Sequence, residues 1–237
     1  MNELIISGNT ISLVEKKIIH TTTIDEFKQS LIDSAPMNTA ILPIGCKAMA
    51  STPKNGSYVY VIERQPGITS FSFHKEKGRA ETVAEYAISL PFIQFYVKLR
   101  ACPMGYAFSG LYLSCTKKPI MDMKDDIFVL PIPNVFSGGE RKVCTGAIEV
   151  SMGNPARICE ELIATFFAAP SNLDLSMDYP LALCKTGKGH EECLKEWQRL
   201  SEDNPLFGIS ADGIKYKSFS LHKSTFETRM KFVMEMD

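Results

Sequence analysis

The alternation of apolar and polar positions predicts that the chain begins with a β-hairpin followed by a short helix. Apolar runs flank the turn-forming Ser7-Gly8-Asn9, so a hairpin is expected over residues 3–19. Thr23-Ile24-Asp25-Glu26 has the form of a capping box. Apolar residues recur behind it at helical spacing and predict a helix that ends near Ser34.

Most of the remaining first half of the chain is predicted to form strands. Tyr58-Val59-Tyr60-Val61-Ile62 is apolar on both faces, which is typical of a central strand. Gln65-Pro66-Gly67, with proline and then glycine at its central positions, predicts a type II turn. The predicted strands are 40–43, 58–64, 68–74, 90–100, 110–114 and 127–130.

The second half of the chain has mainly helical periodicity. Asn154 is suited to cap a helix and Pro155 to occupy its first position. An apolar stripe runs from there to Phe167, and Pro170 ends the pattern. The further elements predicted here are helices at 190–200 and 224–235 and a late strand at 214–221.

Together these elements predict an α+β fold with a mostly antiparallel sheet and helices packed on one side of it. Residues 1–55 are assigned to an N-terminal hairpin–helix elaboration, and residues 56–237 to the main α+β domain. The two parts can also form one continuous domain. The sequence contains no internal repeat and no low-complexity linker.

Composition narrows the class of protein. Apolar residues make up 45% of the 237 positions and charged residues 22%, as in folded globular domains. The net charge of −1 and the lack of a long basic run disfavour nucleic acid as a partner. We expect no signal peptide and no membrane-spanning segment, because even the most apolar window, 86–99, is interrupted by polar residues and a proline.

The cysteines point to a reducing compartment and to one unusual position. They number seven, at scattered spacings, which predicts reduced thiols in a cytoplasm rather than disulfides. Cys144 lies in an irregular stretch between the strand predicted at 127–130 and the helix that begins at Asn154. Loops carry function more often than regular elements, where core cysteines are normally found. Cys144 is therefore the leading candidate for a reactive group.

The residues around Cys144 resemble the active-site region of ubiquitin-conjugating enzymes. In that family a His-Pro-Asn tripeptide, a glycine turn and the catalytic cysteine precede a helix. The corresponding segments here are Pro133-Asn134-Val135-Phe136, Val143-Cys144-Thr145-Gly146 and residues 166–175. The closer resemblance is to the bacterial and phage branch called prokaryotic family D, which includes protein B of the PRTRC plasmid systems.

This resemblance implies a ubiquitin-conjugating-enzyme-like fold and a cysteine-dependent transferase. Cys144 would receive the C-terminal carboxyl of a ubiquitin-like protein from an activating enzyme as a thioester, and pass it to an amine of a protein acceptor. Asn134 would donate a hydrogen bond to the oxyanion formed during transfer. Asp174 or Asp178 would assist deprotonation of the amine. No organic cofactor and no metal is implied.

Two departures from the family pattern favour an alternative function. Ile132 stands where eukaryotic members carry histidine, and the loop from Asn134 to Cys144 is longer than usual. The alternative is a catalytically inactive module of the same fold that acts in protein binding or in phage or plasmid assembly. Burial of Cys144 among its valine neighbours would favour this module, whereas an exposed thiol near Asn134 would favour the carrier.

Other interpretations of the same residues stay open at this point. Cys144 can be a small buried apolar residue, the commonest role of a free cysteine, and Asn134 can be a turn former. A thiol hydrolase requires a histidine in contact with Cys144, and only the fold can supply one. Gly138-Gly139 is not followed by the Gly-Lys-Ser/Thr of a phosphate-binding loop, which argues against that site.

A second cluster of candidate ligands lies near the helix predicted at 190–200. Cys184, His190 and Cys193 are three potential zinc ligands, with Cys159 or Cys102 as a distant fourth. Their spacing departs from the Cys-x2-Cys pairs that anchor known zinc modules. We therefore predict no metal site here.

Overall fold

A computed structural model describes much of the chain in two compact units, Met1–Ile41 and Leu42–Asp237. The described residues are 3–7, 10–14, 18–23, 26, 42–52, 56–74, 83–130, 132, 135, 142–145, 150, 152–171, 190–210 and 224–236. The strand predicted at 214–221 lies outside them.

The first unit contains a three-stranded antiparallel sheet of β1 (Glu3–Ser7), β2 (Thr10–Val14) and β3 (Ile18–Thr23). Ser7 pairs with Thr10, which confirms the predicted hairpin, whereas β3 was not predicted. The capping box is also confirmed. Thr23 N donates to Glu26 Oε2 at 3.0 Å, and Glu26 N donates to Thr23 Oγ1 at 3.1 Å. The rest of that predicted helix lies outside the described residues.

The second unit contains two antiparallel sheets. Four strands pair in the order β4-β5-β8-β9, while β6 and β7 form a separate pair. The strands are β4 (Cys46–Thr52), β5 (Ser57–Arg64), β6 (Gly67–His74), β7 (Val83–Leu90), β8 (Phe92–Cys102) and β9 (Gly105–Thr116). β5 lies between β4 and β8 and is buried on both faces, as its sequence predicts. The α+β class with antiparallel sheets is thereby confirmed.

Several strand predictions were wrong in position. Within 40–43, the described residues 42 and 43 are not in a strand, because Cys46 N donates to Pro43 O in a turn that precedes β4. Residues 127–130 contribute one isolated bridge, between Phe128 and Cys115, rather than a strand.

The type II turn predicted at Gln65-Pro66-Gly67 was also wrong. Gly67 has φ of +155° instead of the value near +80° of a type II turn, and the chain here passes from one sheet to the other.

The described residues of the second unit form three α-helices: α1 (Pro155–Ala168), α2 (His190–Asp203) and α3 (Phe226–Glu235). The predicted cap of α1 is confirmed, since Asn154 Oδ1 accepts a hydrogen bond of 2.8 Å from Ala156 N. A 3-10 turn, Phe207–Ile209, follows α2. All three helices occur where apolar periodicity predicts them.

The helices cover both faces of the four-stranded sheet, so the prediction that they pack on one side was wrong. Leu162 of α1 packs in the cluster that includes Phe95 of β8. Met230 of α3 packs in a second cluster with Val59 and Tyr96, which point to the opposite face. The central strands are apolar on both faces, and each face requires a helix to exclude water.

The face beneath α3 also buries a carboxylate. The Glu63 side chain is fully buried, and its Oε2 accepts hydrogen bonds from Ile120 N at 2.9 Å and Gln94 Nε2 at 3.1 Å. Glu63 Oε1 lies 3.2 Å from Lys47 Nζ in an ion pair and accepts no hydrogen bond from the described residues. The partners compensate for the removal of the charge from water.

Gln94 extends this arrangement across the sheet. Its Nε2 also donates to Thr116 Oγ1 at 3.0 Å, and its Oε1 accepts from Ser114 Oγ at 3.0 Å. The Ser114 hydroxyl lies 3.0 Å from the Tyr96 hydroxyl. The result is a buried network that joins three strands through side chains as well as through the backbone ladder.

Asp125 should make stability depend on pH at the acidic end. Backbone N–H groups of Met121 and Asp122 and the Lys118 ammonium hold the pKa of its carboxyl at about 2, below its ordinary 3.8. The folded state therefore binds this proton less readily than the unfolded state. The stabilisation is present above pH of about 4 and is lost as pH falls through about 2. Asp125→Asn should remove this loss in acid-unfolding curves.

The matched control is Asp126→Asn at the exposed neighbouring residue. It removes one carboxyl from the same segment and leaves in place the hydrogen bonds that Asp125 accepts from Met121 N and Asp122 N. If Asp125→Asn and the wild-type chain lose stability equally between pH of about 4 and about 2, the carboxyl of Asp125 does not have the role assigned to it.

Candidate functional site

The candidate site lies beside the edge strand β9, where residues 142 and 143 pair with it. Val143 N donates to Leu111 O at 2.8 Å, and Lys142 forms a bridge with Tyr112. Val143 also pairs with Val135 in an antiparallel bridge, and both valines are buried. This pairing fixes the backbone immediately before Cys144.

Cys144 is exposed, in contrast to the buried Val143 before it. Neighbouring residues of an extended segment point to opposite sides, so burial of Val143 directs the next side chain toward solvent. The thiol is open to a reagent or to a partner protein. This is the exposure that the carrier function requires and that a core cysteine lacks.

Two other thiols of the second unit, those of Cys115 and Cys159, are held in unreactive settings. Burial raises the pKa of the Cys159 thiol to about 12, and raises that of Cys115 well above its ordinary value. Both side chains are completely buried. These thiols stay protonated at neutral pH and serve as small core residues.

The helix that follows Cys144 in the chain is fixed at its far end by aromatic packing. Phe167 of α1 lies edge-on to Phe71 and Phe95, with ring centroids 5.6 and 5.8 Å apart. Beyond the helix, Ser171 N donates to Ser72 O at 2.7 Å. These contacts hold the end of α1 against β6 and β8.

Several residues of the sequence hypothesis lie outside the described residues. They include Asn134, the predicted oxyanion donor, and Asp174 and Asp178, the weaker candidates for a base. The side chains of all four histidines are also outside them, so the hydrolase hypothesis is not tested. Ile132, at the position of the family histidine, is buried.

The structure describes only some of the candidate zinc ligands. Cys184 and the side chain of His190 lie outside the described residues, whereas Cys193 is buried on the core side of α2. In the described part of the chain, no group of three or more His, Cys, Asp and Glu side chains is placed to hold a metal ion. No helix of that part is long and apolar enough to cross a lipid bilayer.

Comparison with known proteins leaves the family open. No family model, curated protein or solved structure matches the chain. The resemblance to ubiquitin-conjugating enzymes therefore depends on the residues around Cys144 alone.

Sequence reasoning did not find the residue that anchors this site. Leu111 accepts the hydrogen bond from Val143 across 32 positions of sequence. A weak signal exists, since Val135 and Val143 are the two β-branched residues that bracket a polar, glycine-containing loop. The signal indicates pairing of the two valines with each other, but not with β9.

Proposed function

We propose that this protein is a cysteine-dependent carrier of a ubiquitin-like protein, with a fold like that of ubiquitin-conjugating enzymes. Cys144 attacks the activated C-terminal carbonyl, the previous carrier leaves as a thiol, and a thioester forms on Sγ. An acceptor amine then attacks the thioester carbonyl, and the Cys144 thiol is released. The single observation that carries the proposal is the exposure of Cys144 next to the anchored Val143.

The sequence next to the anchored segment supports the proposed oxyanion donor. Asn134 directly precedes Val135 in the chain, Cys144 directly follows Val143, and the two valines pair in an isolated antiparallel bridge. The amide of an Asn side chain is a suitable hydrogen-bond donor to a thioester oxyanion, which is the role proposed for Asn134.

The test uses a chemical substitute for the activated protein. The probe is a peptide ending in Gly-Gly whose C-terminal carboxyl is a thioester of mercaptoethanesulfonate. Mass spectrometry should show one acyl group on the wild-type chain, removed by hydroxylamine, and none on Cys144→Ala. Cys102→Ala, which removes a partly exposed thiol at another position, should load like the wild type.

A second variant distinguishes formation of the thioester on Cys144 from transfer of the acyl group to an amine. Asn134→Ala should form the thioester but discharge it to hydroxylamine about 100-fold more slowly, because one oxyanion donor is lost. Unchanged discharge would remove Asn134 from the mechanism while leaving Cys144 in it. Equal loading of the wild-type chain and Cys144→Ala would rule out the carrier and favour the catalytically inactive binding module.

A further inference from the structure

Two sulfur atoms meet where the turn between β8 and β9 approaches the start of α1. Cys102 is the last residue of β8, and its Sγ lies 3.8 Å from Sδ of Met152. Met152 is 57% exposed and Cys102 is partly exposed, so solvent reaches both atoms. Met104, in the turn that follows Cys102, is also exposed.

The backbone holds the two segments together. Tyr106 N donates to Gly153 O at 3.1 Å, and Gly153 N donates to Tyr106 O at 3.0 Å. A Cβ on Gly105 would lie 3.0 Å from Gly153 O, so a side chain there would crowd the Gly153 backbone. Gly105 also has φ of +115°, a conformation that other residues rarely adopt. These backbone contacts therefore fix the chain near Cys102 and next to Met152.

The distance between Cys102 Sγ and Met152 Sδ is suitable for two sulfur atoms that bind the same ion. Metal–sulfur bonds are about 2.3 Å for zinc thiolates, so sulfur ligands of one ion of that size lie at most about 4.6 Å apart. The observed 3.8 Å falls within this limit. Thiolate and thioether sulfurs are soft ligands, and they select Cu(I) over the divalent ions that prefer nitrogen and oxygen.

We propose that Cys102 and Met152 form a binding site for a soft monovalent cation, with Cu(I) as the ion that this chemistry favours. Cys102 coordinates through its thiolate and releases its proton to solvent, and Met152 coordinates through its thioether. The site is separate from Cys144. Leu111 is five positions after Tyr106 along β9, so at a rise of about 3.3 Å per residue the two are about 17 Å apart.

The test is an anaerobic titration of the full chain with Cu(I) in competition with bicinchoninate. It is carried out on Cys144→Ala so that the exposed Cys144 thiol does not compete. Loss of a partner that merely orients a ligand costs about 10- to 100-fold in metal affinity, so loss of a ligand should cost at least that much. Met152→Leu and Cys102→Ala should both weaken binding to this extent. Met121→Leu, the same substitution at another exposed methionine, should not.

NMR spectroscopy of the methionine methyl groups tests directly whether Met152 is a ligand. In protein labelled with 13C at the methionine methyl groups, redox-inert Ag(I) should shift the Met152 resonance and leave that of Met121 unmoved. The Met152 signal is identified by its loss in Met152→Leu. Equal Cu(I) affinity of Met152→Leu and Met121→Leu, or a Met152 resonance that Ag(I) does not shift, would overturn the proposal.

Discussion

Gly208→Ala should destabilise the protein by about 3 kcal/mol, the upper part of the usual range for overpacking a core. Gly208 lies in the buried 3-10 turn after α2. A Cβ there would lie 2.6 Å from the carbonyl carbon of Leu90 and 2.8 Å from Pro91 N. Both are backbone atoms between β7 and β8, so they cannot move aside as a flexible side chain would.

Urea unfolding followed by fluorescence measures this effect, because Trp197 is the only tryptophan and is completely buried. Trp197 Nε1 donates to Ser89 O at 3.2 Å, and Ser89 Oγ accepts a hydrogen bond from Gly208 N. The control is Leu206→Ala at a half-exposed residue beside the same turn, which should change stability by about 0.5 kcal/mol or less. A similar small change for Gly208→Ala would show that the turn can move away from Leu90.

Glu63→Leu should cost a similar amount, about 3 kcal/mol, for an electrostatic reason. The substitution removes the acceptor for the buried Ile120 N–H and for one hydrogen bond of Gln94. It also leaves the Lys47 ammonium, on a side chain that is 32% exposed, without its carboxylate. The free energy of unfolding from urea titration measures the loss. Glu63→Gln should lose less, because its amide oxygen can still accept from Ile120.

The matched control is Glu161→Leu. Glu161 forms an ion pair of 2.7 Å with Arg157 on α1, but both side chains are solvent-accessible. Exposed pairs of this kind contribute about 0.5 kcal/mol or less on helices. If Glu63→Leu and Glu161→Leu have equal effects, the buried carboxylate contributes no more than a surface one, and water must satisfy its partners.

Local signals predicted the helices well. Asn154, Pro155 and the apolar stripe that follows them all act within a few residues, so the start of α1 is readable without the rest of the fold. β7 was missed for the opposite reason. Its Ala84, Glu85 and Ala87 have weak strand preference, and the strand forms because it pairs with β6 and packs against α2.

The same contrast holds for the candidate sites. The sequence predicts an irregular segment around Cys144, but the contact of Val143 with Leu111 depends on a pairing that no local pattern contains. Cys102 and Met152 are 50 positions apart, and each alone resembles an ordinary surface residue. Pairs of this kind become visible only when the topology brings two loops together.

The two edge strands of the four-stranded sheet, β4 and β9, affect how copies of the protein can associate through strand pairing. At the β9 end, Leu111 O and the backbone of Tyr106 already bond to residues 143 and 153. At the β4 end, a bulge between Cys46 and Ala48 distorts the strand, and the intervening Lys47 carries a charge. Occupied backbone groups, bulges and edge lysines all hinder the addition of a strand from another molecule. Both edges of the four-stranded sheet are thus protected against the strand-by-strand addition that builds cross-β fibrils.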